Sequence, residues 1–412
     1  MHKRLIIVLL LGFSSGLPLS LVTSTLQAWF AESGKSIMAT GMLSLIGLPY
    51  VCRVIWGPFL DRFSLFKLGK RRSWILSMQV LLLIGFNLMA WFTPQLHPEI
   101  LAFLAFLMAT TSATQDMAIE AHRTEYLPQK EHALGASFAV FGYRIALLVS
   151  GGLALIAAQY AGWAVTYQFM GLMMIVGMLA TIWSPEPSIP YNNQVTLTQS
   201  FLKPLKELFS RKGIIPLIAF ILFYKLGEAF TATTSGIVMP FLIQGLGFSL
   251  DTIGYVNKIM GVIAILVGGL VAGVLMLRWT LYRALLVFGI MQALTNVLFV
   301  ALAVVGNNVA LFAVAVISDN FAAGMGTTAL VALFMRVVDK RFTATQFSIL
   351  AALSTIPRIF SGPVAAYLQS HLGWVGLYQF SVVLALGFLP FLMKIKTFTE
   401  RRDEADKMAW AS

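Results

Sequence analysis

Ser150-Gly151 and Gly162-Trp163-Ala164-Val165-Thr166-Tyr167-Gln168-Phe169 return 211 residues later as Ser361-Gly362 and Gly373-Trp374-Val375-Gly376-Leu377-Tyr378-Gln379-Phe380. Between 150 and 169 eight of twenty positions are identical at that offset, where chance supplies about one. The same offset sets Gly16 on Gly227, Gly57 on Gly268 and Arg72 on Arg283. A chain rich in Leu and Ala can align those residues by composition alone, but not Trp, Gln and Arg in register. The sequence is therefore a duplication. Of its 412 residues 58% are apolar and 11% charged, against about a quarter charged in a soluble domain. Apolar runs and their polar breaks predict spans near 5–30, 38–60, 73–93, 99–120, 133–159, 163–183, 213–240, 250–277, 281–304, 308–335, 343–370 and 373–394. Six spans per offset is an even number, so the halves share one topology. The expected fold is an all-α membrane protein with twelve transmembrane helices in two pseudo-symmetric six-helix bundles, 1–183 and 213–412, joined by a linker at 184–212.

The net charge of +12 would suggest nucleic acid in a soluble protein. Here its distribution excludes that partner. The N-terminal tail and every second connection together carry 23 of the 29 Lys and Arg; the opposite connections carry Lys35 alone, and five lie inside spans. Short basic loops resist translocation, so both termini are expected in the cytoplasm and the bilayer is the partner. The stretch after Met1-His2-Lys3-Arg4 runs to Phe30 without a small-residue cleavage site and reads as a retained first helix. Cys52 is the single cysteine, so no intrachain disulfide forms and no metal-ligand spacing exists. Neither His-Glu-x-x-His nor a nucleophile elbow is present, which argues against a membrane enzyme; no catalytic residue, metal or cofactor is expected beyond a proton gradient.

Nine ionisable residues fall within predicted spans: Arg53, Asp116, Glu120, Arg144, Lys225, Glu228, Lys258, Asp319 and Arg358. Facing lipid, each would cost about 2.5–3.5 kcal/mol, so they must face an interior or a water-filled cavity. Five cations and four acids could form a purely structural ion-pair network. They could also work: Asp116 and Glu120 lie one turn apart on one face, where neighbouring carboxylates can take up and pass a proton. Glu228 and Asp319 are candidate proton-coupling partners from the second half. Arg144, Lys225, Lys258 and Arg358 come from four spans, as cations lining a cavity for an anionic solute would. Lys225 and Glu228 could equally satisfy one another at i, i+3. Gln27, Trp29, Tyr50, Gln115, Asn257 and Asn320 add amides and rings suited to sugars, although Trp29 alone also fits an interfacial belt. Gly16-Leu17-Pro18 should interrupt the first span, with a matching break around Gly227; paired breaks point to a transport site.

After the second span come Gly57-Pro58-Phe59-Leu60-Asp61-Arg62 and then Gly69-Lys70-Arg71-Arg72. The order resembles the signature loop of the major facilitator superfamily, which makes Gly57, Asp61, Arg62 and Arg72 gate candidates. Asp61 could accept from free N–H groups at the start of the eleventh span, near 342–345; Ala272 stands at the equivalent place in the second half. With these residues in view, the chain resembles the AmpG-type muropeptide permeases of that superfamily. The carrying stretches are Gly16-Leu17-Pro18, Thr25-Leu26-Gln27-Ala28-Trp29, Ser112-Ala113-Thr114-Gln115-Asp116 and Gly142-Tyr143-Arg144. In the second half they are Tyr224-Lys225-Leu226-Gly227-Glu228-Ala229-Phe230, Val256-Asn257-Lys258 and Ala344-Thr345-Gln346-Phe347 with Arg358.

The resemblance implies proton-driven import of N-acetylglucosaminyl-1,6-anhydro-N-acetylmuramyl peptides across a bacterial inner membrane, for cell-wall recycling and, where inducible, β-lactamase induction. A monomer is the expected working unit. A carrier for another bulky anionic solute, such as an acyl-CoA, is the alternative. The charge asymmetry makes a topological prediction. In a Cys52→Ser background, a cysteine at Ser33 should react with an impermeant maleimide on intact spheroplasts, whereas one at Ser412 should react only after lysis; the reverse pattern would overturn the orientation.

Overall fold

A computed structural model describes residues 2–56, 60, 63–66, 68–128, 131–187, 205–211, 213–338 and 343–396. Gly57, Asp61, Arg62 and Phe342 lie outside them. Among the described residues, nine helices are long and apolar enough to cross a membrane. The last, Gln346–Lys394, contains two spans that fold back at Gly373 (φ 67°). With the shorter Ile37–Cys52 and Ile214–Ala229, every one of the twelve expected spans has its helix. Gly162, the repeat partner of Gly373, separates the fifth and sixth spans with φ 80°. Such a φ disfavours any side chain, which explains why glycine stands at both turns. Trp163 and Trp374 follow at once.

The chain folds as two compact units. One comprises the described residues up to 187 together with 242–258; the other comprises the described residues of 205–241 and of 259–396. Residues 242–258 belong to the second bundle by the sequence boundary, yet they pack in the first unit for identifiable reasons. Gln244 Nε2 donates to the carbonyls of Ala31 (2.7 Å) and Lys35 (2.8 Å). The Leu250 N–H donates to Gln159 Oε1 (3.2 Å). Lys258 Nζ donates to Ser24 Oγ (2.6 Å).

In the first unit, the first and fifth spans approach at glycines. A Cβ on Gly12 would lie 2.3 Å from the Ala139 carbonyl oxygen, one on Gly16 2.6 Å from that of Tyr143, and one on Gly142 2.1 Å from that of Leu9. The eighth and tenth spans of the second unit use Gly268 and Gly324 in the same way, against the Phe321 and Ile265 carbonyls. Without a hydrophobic force between helices in lipid, small residues that allow backbone contact supply the packing.

Both expected interruptions are displaced. The first helix runs unbroken from His2 through Gly16-Leu17-Pro18 to Val22 and breaks at Thr23 (φ −116°, ψ −102°), restarting at Ser24–Glu32. Gly16 serves close approach rather than a break. Thr23 Oγ1 instead bonds the Leu19 carbonyl at 2.5 Å. The seventh span was expected to continue to 240, but its helix ends at Ala229; turns fill 230–237, with Gly236 at φ 83°, before a short helix at Val238–Pro240. Thr234-Ser235 in that stretch is the repeat partner of Thr23-Ser24, so the paired break exists seven residues beyond the glycines.

If backbone contact at Gly142 is limiting, Gly142→Val should lower detergent-solubilised stability by about 1–3 kcal/mol through overpacking. Gly273→Ala, where a Cβ meets nothing within 4 Å, should leave it unchanged or raise it by up to about 1 kcal/mol. Equal unfolding midpoints for the two variants would refute the role of close approach.

Candidate functional site

In the first unit the polar side chains gather around the fourth span, Pro98–Tyr126. Asp116 is buried and accepts a hydrogen bond from Ser15 Oγ at 2.6 Å. Among the described residues it forms no ion pair, although Arg53 and Glu120 act on it electrostatically. Arg53 is committed to Glu120 at 3.5 Å, and Glu120 is 54% exposed. The two carboxylates one turn apart therefore stand in different settings, one interior and one at an open edge. Trp56 Nε1 donates to Thr114 Oγ1 at 3.0 Å, so its polar edge joins this cluster. The buried Tyr50 hydroxyl has Ser112, Asp116 and Tyr143 as electrostatic neighbours. Arg144 is half-buried in the fifth span and forms no ion pair among the described residues.

Other expected ligands have structural duties. Gln115 Nε2 donates to Ser14 Oγ (3.0 Å), which also takes Gln79 Nε2 (3.1 Å), and Gln79 Oε1 takes Thr181 Oγ1 (2.9 Å). This buried chain links the first, third, fourth and sixth spans. Trp29 is interior rather than interfacial: it stacks on Trp163 with centroids 5.5 Å apart and meets Tyr167 at 5.1 Å. Gln27 is buried on the same short helix. Lys258 and Asn257 are buried as well, and the Lys258 stem passes Gly151, where a Cβ would stand 3.2 Å from its Cδ.

In the second unit Lys225 and Glu228 form an ion pair at 2.7 Å, with side chains 10% and 14% exposed. Lys225 also donates to Thr327 Oγ1 at 3.0 Å, and Gln292 Nε2 donates to Glu228 Oε2 at 2.9 Å. Asp319 is buried and accepts from Thr231 (3.1 Å) and Thr295 (3.0 Å), with no cation paired to it among the described residues. Asn320 turns its amide onto its own helix at the Val316 carbonyl. Arg358, half-buried, has no ion-pair partner among the described residues.

Ser15, Thr295, Gln292 and Thr327 were not singled out from the sequence. At offset 211 Asp116 falls on Thr327 and Ser14 on Lys225, so the Lys225–Thr327 and Ser15–Asp116 contacts join equivalent spans but are one residue out of register, Ser15 itself falling on Leu226.

Of the gate candidates only Arg72 lies among the described residues. Its guanidinium donates to the Thr181 (3.1 Å) and Ile182 (2.8 Å) carbonyls that end the sixth span. In return Glu186, just beyond that span, accepts the backbone N–H groups of Arg71 (2.7 Å) and Arg72 (3.0 Å) at the start of the third. Each charge meets the helix end of opposite polarity. Arg71 grips Glu125 through Nε and Nη2. The Asp61 contact expected at the eleventh span falls outside the described residues.

The Lys225–Glu228 pair makes a testable demand. Lys225→Met or Glu228→Gln alone should each destabilise the protein by about 3–5 kcal/mol by leaving a buried partner unanswered, and the double variant should recover most of that loss. Additive losses in a detergent unfolding assay would show the pair to be uncoupled.

Comparisons with known proteins agree with this architecture. Residues 5–362 match the Major Facilitator Superfamily model. The anhydromuropeptide permease of Escherichia coli K12 is 40% identical over 95% of this chain and 79% of its own length. A putative transporter AmpG 4 of Rickettsia conorii is 31% identical over 96% of this chain and 97% of its own. Among solved structures, a POT family transporter in complex with a thioalcohol-conjugated peptide superposes with a TM-score of 0.75 at 10% identity, covering 96% of both chains. The D-xylose–proton symporter superposes at 0.67 with 14% identity, covering 95% and 97%; at such identities these two speak for the fold alone. The chain is a multi-pass inner-membrane transporter, not an enzyme, and it belongs to the major facilitator superfamily, in the family of the anhydromuropeptide permeases.

Proposed function

We propose that this transporter imports N-acetylglucosaminyl-1,6-anhydro-N-acetylmuramyl peptides from periplasm to cytoplasm by alternating access, driven by the proton gradient, for peptidoglycan recycling. The relative named anhydromuropeptide permease supports the substrate class. The observation that carries the coupling is a mismatch of charge within each unit. Asp116 and Asp319 are held by hydroxyls rather than ion-paired cations, while Arg144 and Arg358 form no ion pair among the described residues. A proton can neutralise such a carboxylate without opening an ion pair, and an unanswered guanidinium suits a carboxylate on the peptide stem.

Glu228 takes part differently. A substrate carboxylate competes with it for Lys225, and the released Glu228 accepts a proton in exchange. Within the first unit, Tyr50, Gln27, Asn257 and Lys258 carry hydroxyl, amide and ammonium groups of the kinds a disaccharide peptide calls for. No bound cofactor enters this scheme.

In proteoliposomes with an inward proton gradient, uptake of labelled disaccharide peptide should fall by about tenfold or more on Asp116→Asn. Full-rate uptake without a gradient would end the coupling proposal. Competition by acyl-CoA, but not by anhydromuropeptide, would reassign the substrate.

A further inference from the structure

Gln292 belongs to the ninth span, Leu281–Val305, and is almost fully buried (1% exposed). Its two amide atoms have unequal company. Nε2 donates to Glu228 Oε2 at 2.9 Å, while the buried Oε1 has no partner. That oxygen lies over Gly326: a Cβ there would stand 3.1 Å from it and 3.2 Å from the Tyr224 hydroxyl oxygen, which is likewise buried without a partner. Two orphaned polar atoms thus flank one glycine, beside a carboxylate whose other oxygen is held by Lys225 at 2.7 Å.

We propose that Gln292 is a positioning residue for coupling, its amide turning over as Glu228 gains and loses its proton. The inference rests on the reading of Glu228 as a proton acceptor. A carboxylate only accepts hydrogen bonds, whereas a carboxylic acid must also donate one. The amide fork carries both answers on one planar group. Toward the charged acid it presents its NH2, and its carbonyl is left stranded. Once the proton sits on Glu228 Oε2, a half-turn about the last side-chain bond brings the carbonyl round to accept the new O–H. The same turn puts the NH2 where the carbonyl was, on the Tyr224 side. Without the turn the new O–H would face an NH2 and find no acceptor there, and burying an unsatisfied donor is costly. Besides Gln292, the charged and titratable groups facing Glu228 are Lys225 and Tyr224 from its own span and Asp319 from the tenth. None of these offers both an N–H donor and a carbonyl acceptor.

The test compares gradient-driven uptake of labelled disaccharide peptide across a pH series with counterflow exchange at equal pH on both sides, using the full chain in proteoliposomes. Gln292→Met keeps the length of the side chain and loses both polar atoms. Counterflow should stay within about twofold of wild type, while the midpoint of the uptake–pH curve moves by on the order of one pH unit. Should that variant fail to fold, Gln292→Asn keeps both polar atoms but draws them back by one methylene from Glu228 and should move the midpoint as well. An unmoved midpoint, or counterflow lost in proportion to uptake, would overturn the proposal and leave Gln292 a packing residue. Glu228→Gln separates the two levels: wild-type pH dependence in that variant would remove Glu228 from coupling altogether, whereas its loss together with an unmoved midpoint in Gln292→Met would overturn the amide turn alone.

Discussion

A charge inside a bilayer has to be answered within the protein, because lipid offers it nothing. That constraint shapes both units, and each meets part of it with a hydroxyl from another span. In the first, an acid on the fourth span, Asp116, is met by a hydroxyl from the first, Ser15. In the second, a cation on the seventh span, Lys225, is met by a hydroxyl from the tenth, Thr327. Duplication preserved a helix–helix contact and left its chemistry free to diverge.

The polar contacts depend in turn on how closely the helices approach. Ser15 can reach Asp116 because the surrounding spans are packed at backbone distance, through Gly12 and Gly16 on one helix and Gly142 on its neighbour. The Gln79–Ser14–Gln115 chain occupies the same layer and fixes the rotation of the first span about its axis. Asp116 therefore keeps one face, and a movement of the first span that preserves packing carries Ser15 with it.

The architecture was legible in the sequence because it rests on period and composition, which survive without coordinates. The spans and the duplication follow from such signals; that Gly162 and Gly373 turn the chain shows only in their φ. The breaks were legible only in kind. Gly16-Leu17-Pro18 carries the residues that usually interrupt a helix, but the bilayer suppresses a break wherever a neighbouring backbone is close enough to make glycine a contact; the interruption passed to Thr23, whose hydroxyl can satisfy a freed carbonyl. Among the candidate site residues, the charges announced themselves by rarity. Their partners did not, since Ser, Thr and Gln are common in such helices and only proximity distinguishes Thr295 or Gln292 from the rest. Gln115 and Trp29, residue types suited to a sugar, are also tied into the packing of the first unit.

The exchange of end groups between Arg72 and Glu186 has a mechanical consequence. Each of the two helices supplies the charge that closes the other, so sliding one along its axis would strain both contacts together. The third and sixth spans are in effect a single strut, cross-tied at one end.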